Sequence, residues 1–465
     1  MEISAVTAIG KQGKVNAMTQ SEVHAGAAGY VERLAEFAAT FSLEQAPNAV
    51  LRRAKYILLD TIGCMLAART TPDIRALRQC VSPQGGILES AFLDGTAGVS
   101  LELDEGAAES KGHPSIHVIP AALSVAREKQ VRGDELLTAV IVGYEVAARM
   151  GAATTLRRSF HPHGVWGTPG GAVAVGRLLR LTGSQMAQAI RIASSLAIAT
   201  DREAMFQGTP SRNLWTGLGN VASILAARSA QAGFSAPLNA PADIYGRAIG
   251  TAFDVEKAAR GLSSDWYMLR NYFKTHACCR YTHASIDALR VALRGETLSA
   301  QDVDAIDVHT YHSAVAITGQ SDIPKRTLSA KFSIPYALGV YSVYGDAKPH
   351  RFDEPTLSNA EVWQIASRVT VREDLSYTAV LPHERPARVE ISLRDGRHLR
   401  AEVRHSIDDA ETSLTDEEVE KKFLDNAEPI LGKLRAAELC AVIKQIETAD
   451  DISVQLGTDL SRPPE

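Results

Sequence analysis

The amino-acid sequence predicts a mainly α protein: a large all-α helical domain interrupted by a smaller α+β domain. Three observations carry that expectation. From Gly29 to about Trp266 apolar residues recur at helical spacing; between about 269 and 405 short segments alternate apolar and polar residues; from Asp416 to Thr448 the helical spacing returns. The tail is therefore expected to pack back on the first domain. That gives a discontinuous helical domain over 26–268 plus 406–465 and an α+β domain over 269–405. Residues 1–25, small and polar with no period, read as a flexible extension without the marks of a targeting peptide.

The first helix is marked by Tyr30, Leu34, Phe37 and Phe41, which fall on one stripe. The second is expected over 50–69, with Leu51, Ala54, Leu58, Ile62 and Met65 on one side. Further helices follow over 119–130, 134–153 behind a break at Gly133, 167–181 and 185–199. Ser184 is placed as the N-cap of the last, because a hydroxyl there can accept from the free amides of a first turn. Ala and Gly dominate 167–176 and 217–233, where small side chains let helix axes approach closely. No strand followed by G-x-G-x-x-G or Walker spacing accompanies them, so no nucleotide is expected.

In the α+β region Val303, Ile306, Val308 and Tyr311 form one alternating segment, Val369 and Val371 another. Val389, Ile391 and Leu393 alternate up to Asp395-Gly396, and Leu399, Ala401 and Val403 alternate beyond it. That pattern predicts a hairpin closed by a type I′ turn.

Composition excludes several classes. Lys and Arg number 49 against 54 Asp and Glu, a net charge of −5 with no basic block, so nucleic acid is not an expected partner. The apolar runs at 139–148 and 192–199 fall short of the roughly 20 residues that span a bilayer, and no membrane partner is expected. Five scattered cysteines, Cys64, Cys80, Cys278, Cys279 and Cys440, fit free thiols in a cytoplasmic protein. No C-x-x-C or H-E-x-x-H occurs, and neither metal nor organic cofactor is expected.

Three histidine-bearing segments could carry chemistry: LELDEGAAESKGHPSIHVIP (101–120), FHPHGVWG (160–167) and FKTHACCRYTH (273–283). Pro and Gly beside a histidine hold it in a loop or at a helix start, where an imidazole faces a cleft more readily than a packed core. Histidine begins near neutral pKa, so it suits general acid/base work. Asp104 could fix the tautomer of His113 or His161, and cations could hold a carboxylate substrate.

The order and wording of these blocks resemble the MmgE/PrpD family, which includes 2-methylcitrate dehydratase, cis-aconitate decarboxylase and iminodisuccinate epimerase. The likeness runs over nearly everything after Gly29 and adds LDTIGCMLA (59–67), the GTPSRNLWTGLGNVASILAARSAQAGFSAP block and AKFSIPYALGVYSVYG to the segments above. It implies a helical domain built from both chain ends, an inserted α+β lid, a homodimer and a cofactor-independent active site between helical domain and lid. Matched catalytic positions are Asp104, His113, His161, Lys274 and Tyr336; Arg212, Lys274, Arg280 and His283 are the implied substrate-binding set. Arg212 stands where relatives carry Lys: the cation is kept, but Arg does not give up its proton, so anion binding survives there and proton transfer does not.

The expected function is proton abstraction next to a carboxylate of a small di- or tricarboxylate. Dehydration of a 2-methylcitrate-like acid leads; iminodisuccinate-like epimerisation and cis-aconitate-like decarboxylation stand behind it. A carboxylate-binding pseudoenzyme is the alternative class, and the acid/base set argues against it. His117 and His163 receive no role and read as structural, and Cys278 and Cys279 read as small buried hydrophobes.

Overall fold

The structure is a computed structural model that describes residues 29–81, 86–320, 326–410, 412 and 414–461. It is mainly α, as the periodicity predicts. The extension read over 1–25 lies outside the described residues. The principal helices are α1 Tyr30–Thr40, α2 Asn48–Ala68, α3 Pro72–Cys80, α4 Ile87–Ser100, α5 Ser115–Lys129, α6 Gly133–Ala153, α7 Thr168–Leu178, α8 Gly183–Ser195, α9 Ser211–Gln231, α10 Arg280–Leu293, α11 Ile334–Tyr344, α12 Asp416–Leu431 and α13 Lys433–Lys444.

The α1 stripe of Tyr30, Leu34, Phe37 and Phe41 is buried as expected, in a core shared with α2 and α5–α8. At its centre α6 and α7 touch backbone to backbone. A Cβ on Gly143 would stand 2.8 Å from the Gly170 carbonyl oxygen, and one on Gly170 would stand 2.5 Å from that of Gly143. Only glycine permits that approach, which bears out the packing role. The helix α6 is long and apolar enough to cross a membrane by length and composition, unlike the shorter run counted in the sequence, yet the qualifying window is wholly buried inside the protein.

The tail returns to the helical body. Phe423 of α12 packs on α2, where a Cβ on Gly63 would meet its ring at 3.1 Å. Thr415 and Glu418 cap α12 reciprocally: the Glu418 amide donates to Thr415 Oγ1 (3.3 Å) and the Thr415 amide to Glu418 Oε2 (2.8 Å).

Three local expectations are corrected. Thr182, not Ser184, caps α8, because its Oγ1 accepts from the Gln185 amide while the Gln185 side chain accepts from the Thr182 amide; Ser184 lies inside the helix. Helix α5 starts at Ser115, before the apolar run, and carries Pro120 inside it. The hairpin turn is not type I′, since of Asp395 and Gly396 only Gly396 has positive φ (89°). The Gly396 amide donates to the Leu393 carbonyl (3.0 Å), and the glycine relieves the following left-handed position.

The α+β part is a four-stranded sheet of β1 Val303–Thr310, β2 Val369–Glu373, β3 Ala387–Leu393 and β4 His398–Val403, in the order β2-β1-β3-β4. β1 and β2 run parallel; the other pairs are antiparallel, and Val389 faces Ala401 as the hairpin reading requires. Ala288 and Leu289 of α10 join Val389 and Ile391 of β3 in a second core. A short antiparallel pairing of Gly106 with Tyr272 and Ala107 with Asn271 ties the loop after α4 to the segment entering α10. That link sets the candidate site.

Candidate active site

A cleft of about 300 Å³ opens between the loops of the helical body and the α+β part. Glu102, His113, His161, His163, Arg202 and Arg212 line one side; Tyr272, Cys279, Arg280, Tyr281, Phe332 and Arg385 are on the other. Among the described residues Glu102 is the one carboxylate in the lining, against five cations that include Lys111.

His113 sits between α4 and α5, and its Nδ1 donates to the Glu105 carbonyl at 2.7 Å. A carbonyl only accepts, so the proton is on Nδ1 and Nε2 is left with its lone pair. The Asp104 carboxylate, fully buried, lies 3.2 Å from the same nitrogen, and neither of its oxygens takes a hydrogen bond. It stands behind His113 and outside the cleft lining. Burial pushes His113 below its ordinary value, with the Asp104 charge opposing. Glu105 pins the α5 start by accepting from the Ser115 amide (2.9 Å), and burial raises its carboxyl to about 7.

His161 has the opposite tautomer. Its Nδ1 accepts from the His163 backbone amide (3.2 Å), which leaves the proton on Nε2. The HPHG wording explains the turn. Gly164 has φ 71°, and a Cβ there would lie 2.7 Å from the Trp215 carbonyl. The Gly164 amide in turn donates to His117 Nε2 (3.0 Å), while His117 Nδ1 donates to the His113 carbonyl (2.8 Å). His117 is thus fully engaged and structural, its pKa lowered to about 4 by burial. His163 also lines the cleft. Its ring stacks between His161 (4.5 Å) and His113 (5.4 Å), and its Nε2 accepts from Arg212 (3.1 Å). Burial and then the Arg212 charge push both His161 and His163 well below the usual histidine value.

Glu102 carried no assignment in the sequence reading, yet it organises the cations. It follows α4 in the left-handed region (φ 53°), a conformation costing a non-glycine residue roughly 1–2 kcal/mol. One carboxylate oxygen pairs with Arg212; the other lies 3.4 Å from Lys274 Nζ, which donates to the Glu102 carbonyl at 3.0 Å. Burial alone would raise the Glu102 carboxyl, but the Arg212 and Lys274 charges hold it low. Lys274 therefore sits behind Glu102, out of the cleft lining, and Arg212 enters the lining already paired.

Arg280 lines the cleft at the start of α10 but is occupied by Asp408 (3.0 Å) and Asp409 (3.1 Å). His283 is buried one turn on. Its Nδ1 lies 2.7 Å from Asp408 Oδ2 and its Nε2 donates to the Cys278 carbonyl (3.2 Å), so it anchors Asp408 and does not line the cleft. Tyr336 is the clearest departure from expectation. It lies in α11, against Trp363 (4.9 Å) and Phe352 (6.0 Å), with its hydroxyl unpartnered and outside the cleft lining. Tyr272 and Tyr281 take the positions that a cleft tyrosine would occupy. Cys279 reaches the lining, but burial raises its thiol to about 11, which disfavours the thiolate. Among the described residues no three His, Cys, Asp or Glu side chains are grouped to hold a metal ion.

Two family models account for this architecture: the MmgE/PrpD N-terminal domain matches residues 32–252 and the MmgE/PrpD C-terminal domain residues 276–448. The chain belongs to the MmgE/PrpD family. The junction between the two matches falls in the segment that carries Tyr272 and Lys274 into the site. Relatives matched along most of their length include proteins named cis-aconitate decarboxylase. Cis-aconitate decarboxylase of Aspergillus terreus is 25% identical over 94% of this chain and 97% of its own length. The Homo sapiens protein of that name is 24% identical over 90% and 91%, and the Mus musculus one 23% over 88% of each. In this MmgE/PrpD chain the cleft thus brings together His113, His161, Arg212 and Arg280, sets Asp104 and Lys274 directly behind them, and leaves Tyr336 and His283 outside.

Proposed function

We propose that this MmgE/PrpD protein is a lyase that acts on a small polycarboxylate without an organic cofactor, and that it decarboxylates a cis-aconitate-like acid. The observation that carries the reading is the pair of opposed tautomers in one cleft: a bare Nε2 on His113 and a protonated Nε2 on His161, bridged by the His163 ring. Such a pair can hold and orient a proton-donating water, one imidazole accepting its hydrogen bond and the other donating to it, while both rings stay neutral. The name shared by the relatives favours decarboxylation over the dehydration with which the sequence reading led.

In this mechanism a carbon–carboxylate bond breaks, carbon dioxide leaves, and its electron pair passes to the substrate carbon. The cationic cleft stabilises the enolate-like charge that develops, commonly the largest single contribution in such reactions. A water held between the two imidazoles, donating a hydrogen bond to His113 Nε2 and accepting one from His161 Nε2–H, then delivers the proton that the carbon needs and leaves as hydroxide, so that one solvent proton is consumed for each carbon dioxide released. Asp104 holds the charge balance behind His113. The α+β part acts as the lid, and the reading includes a cytoplasmic homodimer.

Proton NMR in D₂O with 2-methylcitrate, citrate, cis-aconitate and iminodisuccinate, with EDTA present, tests it. The expected result is a diacid product carrying one deuterium from cis-aconitate. A dehydration product from 2-methylcitrate, or silence across the panel, would overturn the decarboxylase assignment.

A further inference from the structure

The cations of the cleft divide into occupied and unoccupied ones. Arg212 is committed to Glu102, and Arg280 to Asp408 and Asp409. Lys111, Arg202 and Arg385 make no ion pair among the described residues, although all three line the cleft, and only the two arginines offer a planar fork. They come from opposite walls: Arg202 precedes α9 on the helical body, and Arg385 precedes β3.

Both are built into place. The Arg202 Nε donates to the Phe160 carbonyl (3.1 Å), leaving its terminal nitrogens free to point elsewhere. The Arg385 backbone amide donates to the Arg404 carbonyl (3.2 Å), which extends the β3–β4 pairing and fixes the base of its side chain. Both guanidinium groups lie close enough to the Tyr281 hydroxyl to act on its charge, and Tyr281 packs edge-on against Tyr311 at 6.0 Å. Two planar forks without an ion-pair partner, lining one cleft with Tyr281 and one already neutralised carboxylate, make a receptor for a second anionic group. A guanidinium receives a carboxylate through two parallel hydrogen bonds, so each fork defines a direction as well as a charge.

We propose that Arg202 and Arg385 form an outer carboxylate subsite, which binds a substrate carboxylate remote from the histidines and gives the cleft its preference for tricarboxylates over dicarboxylates. The inference rests on the polycarboxylate reading above and adds the specificity-determining residues. A ligand held there bridges the two walls, so binding draws the α+β part onto the helical body. The cleft volume, at the lower end of the roughly 300–1,000 Å³ usual for small-molecule sites, suits a short-chain acid.

Calorimetric titration of the full chain with tricarballylate and with glutarate, which lacks the central carboxylate, tests this without turnover. Wild type is expected to bind tricarballylate more tightly. R385Q and R202Q should each weaken tricarballylate by about 10- to 100-fold while changing glutarate by less than about threefold, the scale of a charge-assisted bidentate contact. R385K, which keeps charge without the fork, should fall between. Wild-type affinity in R385Q, equal loss of both ligands, or no tricarballylate binding by wild type would overturn the subsite. Should R385Q fail to fold by thermal melting, R385K and R202Q decide by the same ratios. A preference that collapses in R385Q while cis-aconitate is not turned over keeps the subsite and sinks the decarboxylase reading instead.

Discussion

The Arg212 guanidinium and the Glu102 carboxylate form an ion pair almost wholly buried in the cleft wall, their side chains 2% and 3% exposed. With Lys274 on the other carboxylate oxygen, two buried cations share one anion, and the excess positive charge faces the cleft. Removing one partner of a buried pair strands the others without compensation.

Glu102→Ala should therefore destabilise the protein by about 3–5 kcal/mol, the usual cost of breaking a buried ion pair. Urea unfolding checks it; a loss under about 1 kcal/mol would mean that water or a bound anion replaces the carboxylate.

His113→Gln and His161→Gln should each lower kcat by about 10²- to 10⁴-fold while leaving substrate binding within a few-fold, as expected of general acid/base groups. Single-turnover rates and calorimetry on the same variants separate the two quantities. Loss of binding with unchanged kcat would contradict the roles.

Tyr336→Phe should leave turnover unchanged within about twofold, because the hydroxyl lies outside the cleft lining and makes no hydrogen bond. Removing that buried, unpartnered hydroxyl should raise stability by up to about 1 kcal/mol. A hundredfold fall in kcat would instead return Tyr336 to the reaction.

Stability should fall on acidification in the window set by His117. Its folded pKa is lowered to about 4 from 6.5, so between those values the unfolded chain binds the proton that the native state refuses. No penalty arises above about pH 7; it grows as pH falls through 6.5 and reaches about 3 kcal/mol near pH 4. Burial lowers His161 and His163 in the same direction. Denaturation midpoints from pH 7 to pH 4.5 should show a smaller slope in His117→Asn than in wild type.

Activity should share that sign. His113 and His161 are both depressed by burial, so both are neutral at pH 7. The rate kcat/KM should be level through neutrality and fall only at acid pH, where His113 Nε2 takes up a proton. A profile that rises as pH drops below 6 would show that the imidazolium is the working form.

Particular residues show how far sequence reaches. The α1 stripe, the return of α12 to α2, the hairpin of β3 and β4 and the loop histidines were legible, because each rests on short-range spacing, turn chemistry or a local Pro-Gly setting. The Ser184 cap failed against Thr182 by two residues, since both side chains can cap and only the reciprocal Gln185 contact chooses. The tertiary structure alone decided that Glu102 joins Arg212 to Lys274, that Asp408 gathers Arg280 and His283, that Tyr336 packs on Trp363 outside the cleft lining, and that Arg202 and Arg385 line one cleft. Those pairings span tens to hundreds of residues. Periodicity fixes which face of an element turns inward, but the partner it meets depends on how distant elements pack and on which buried charges find a counter-ion.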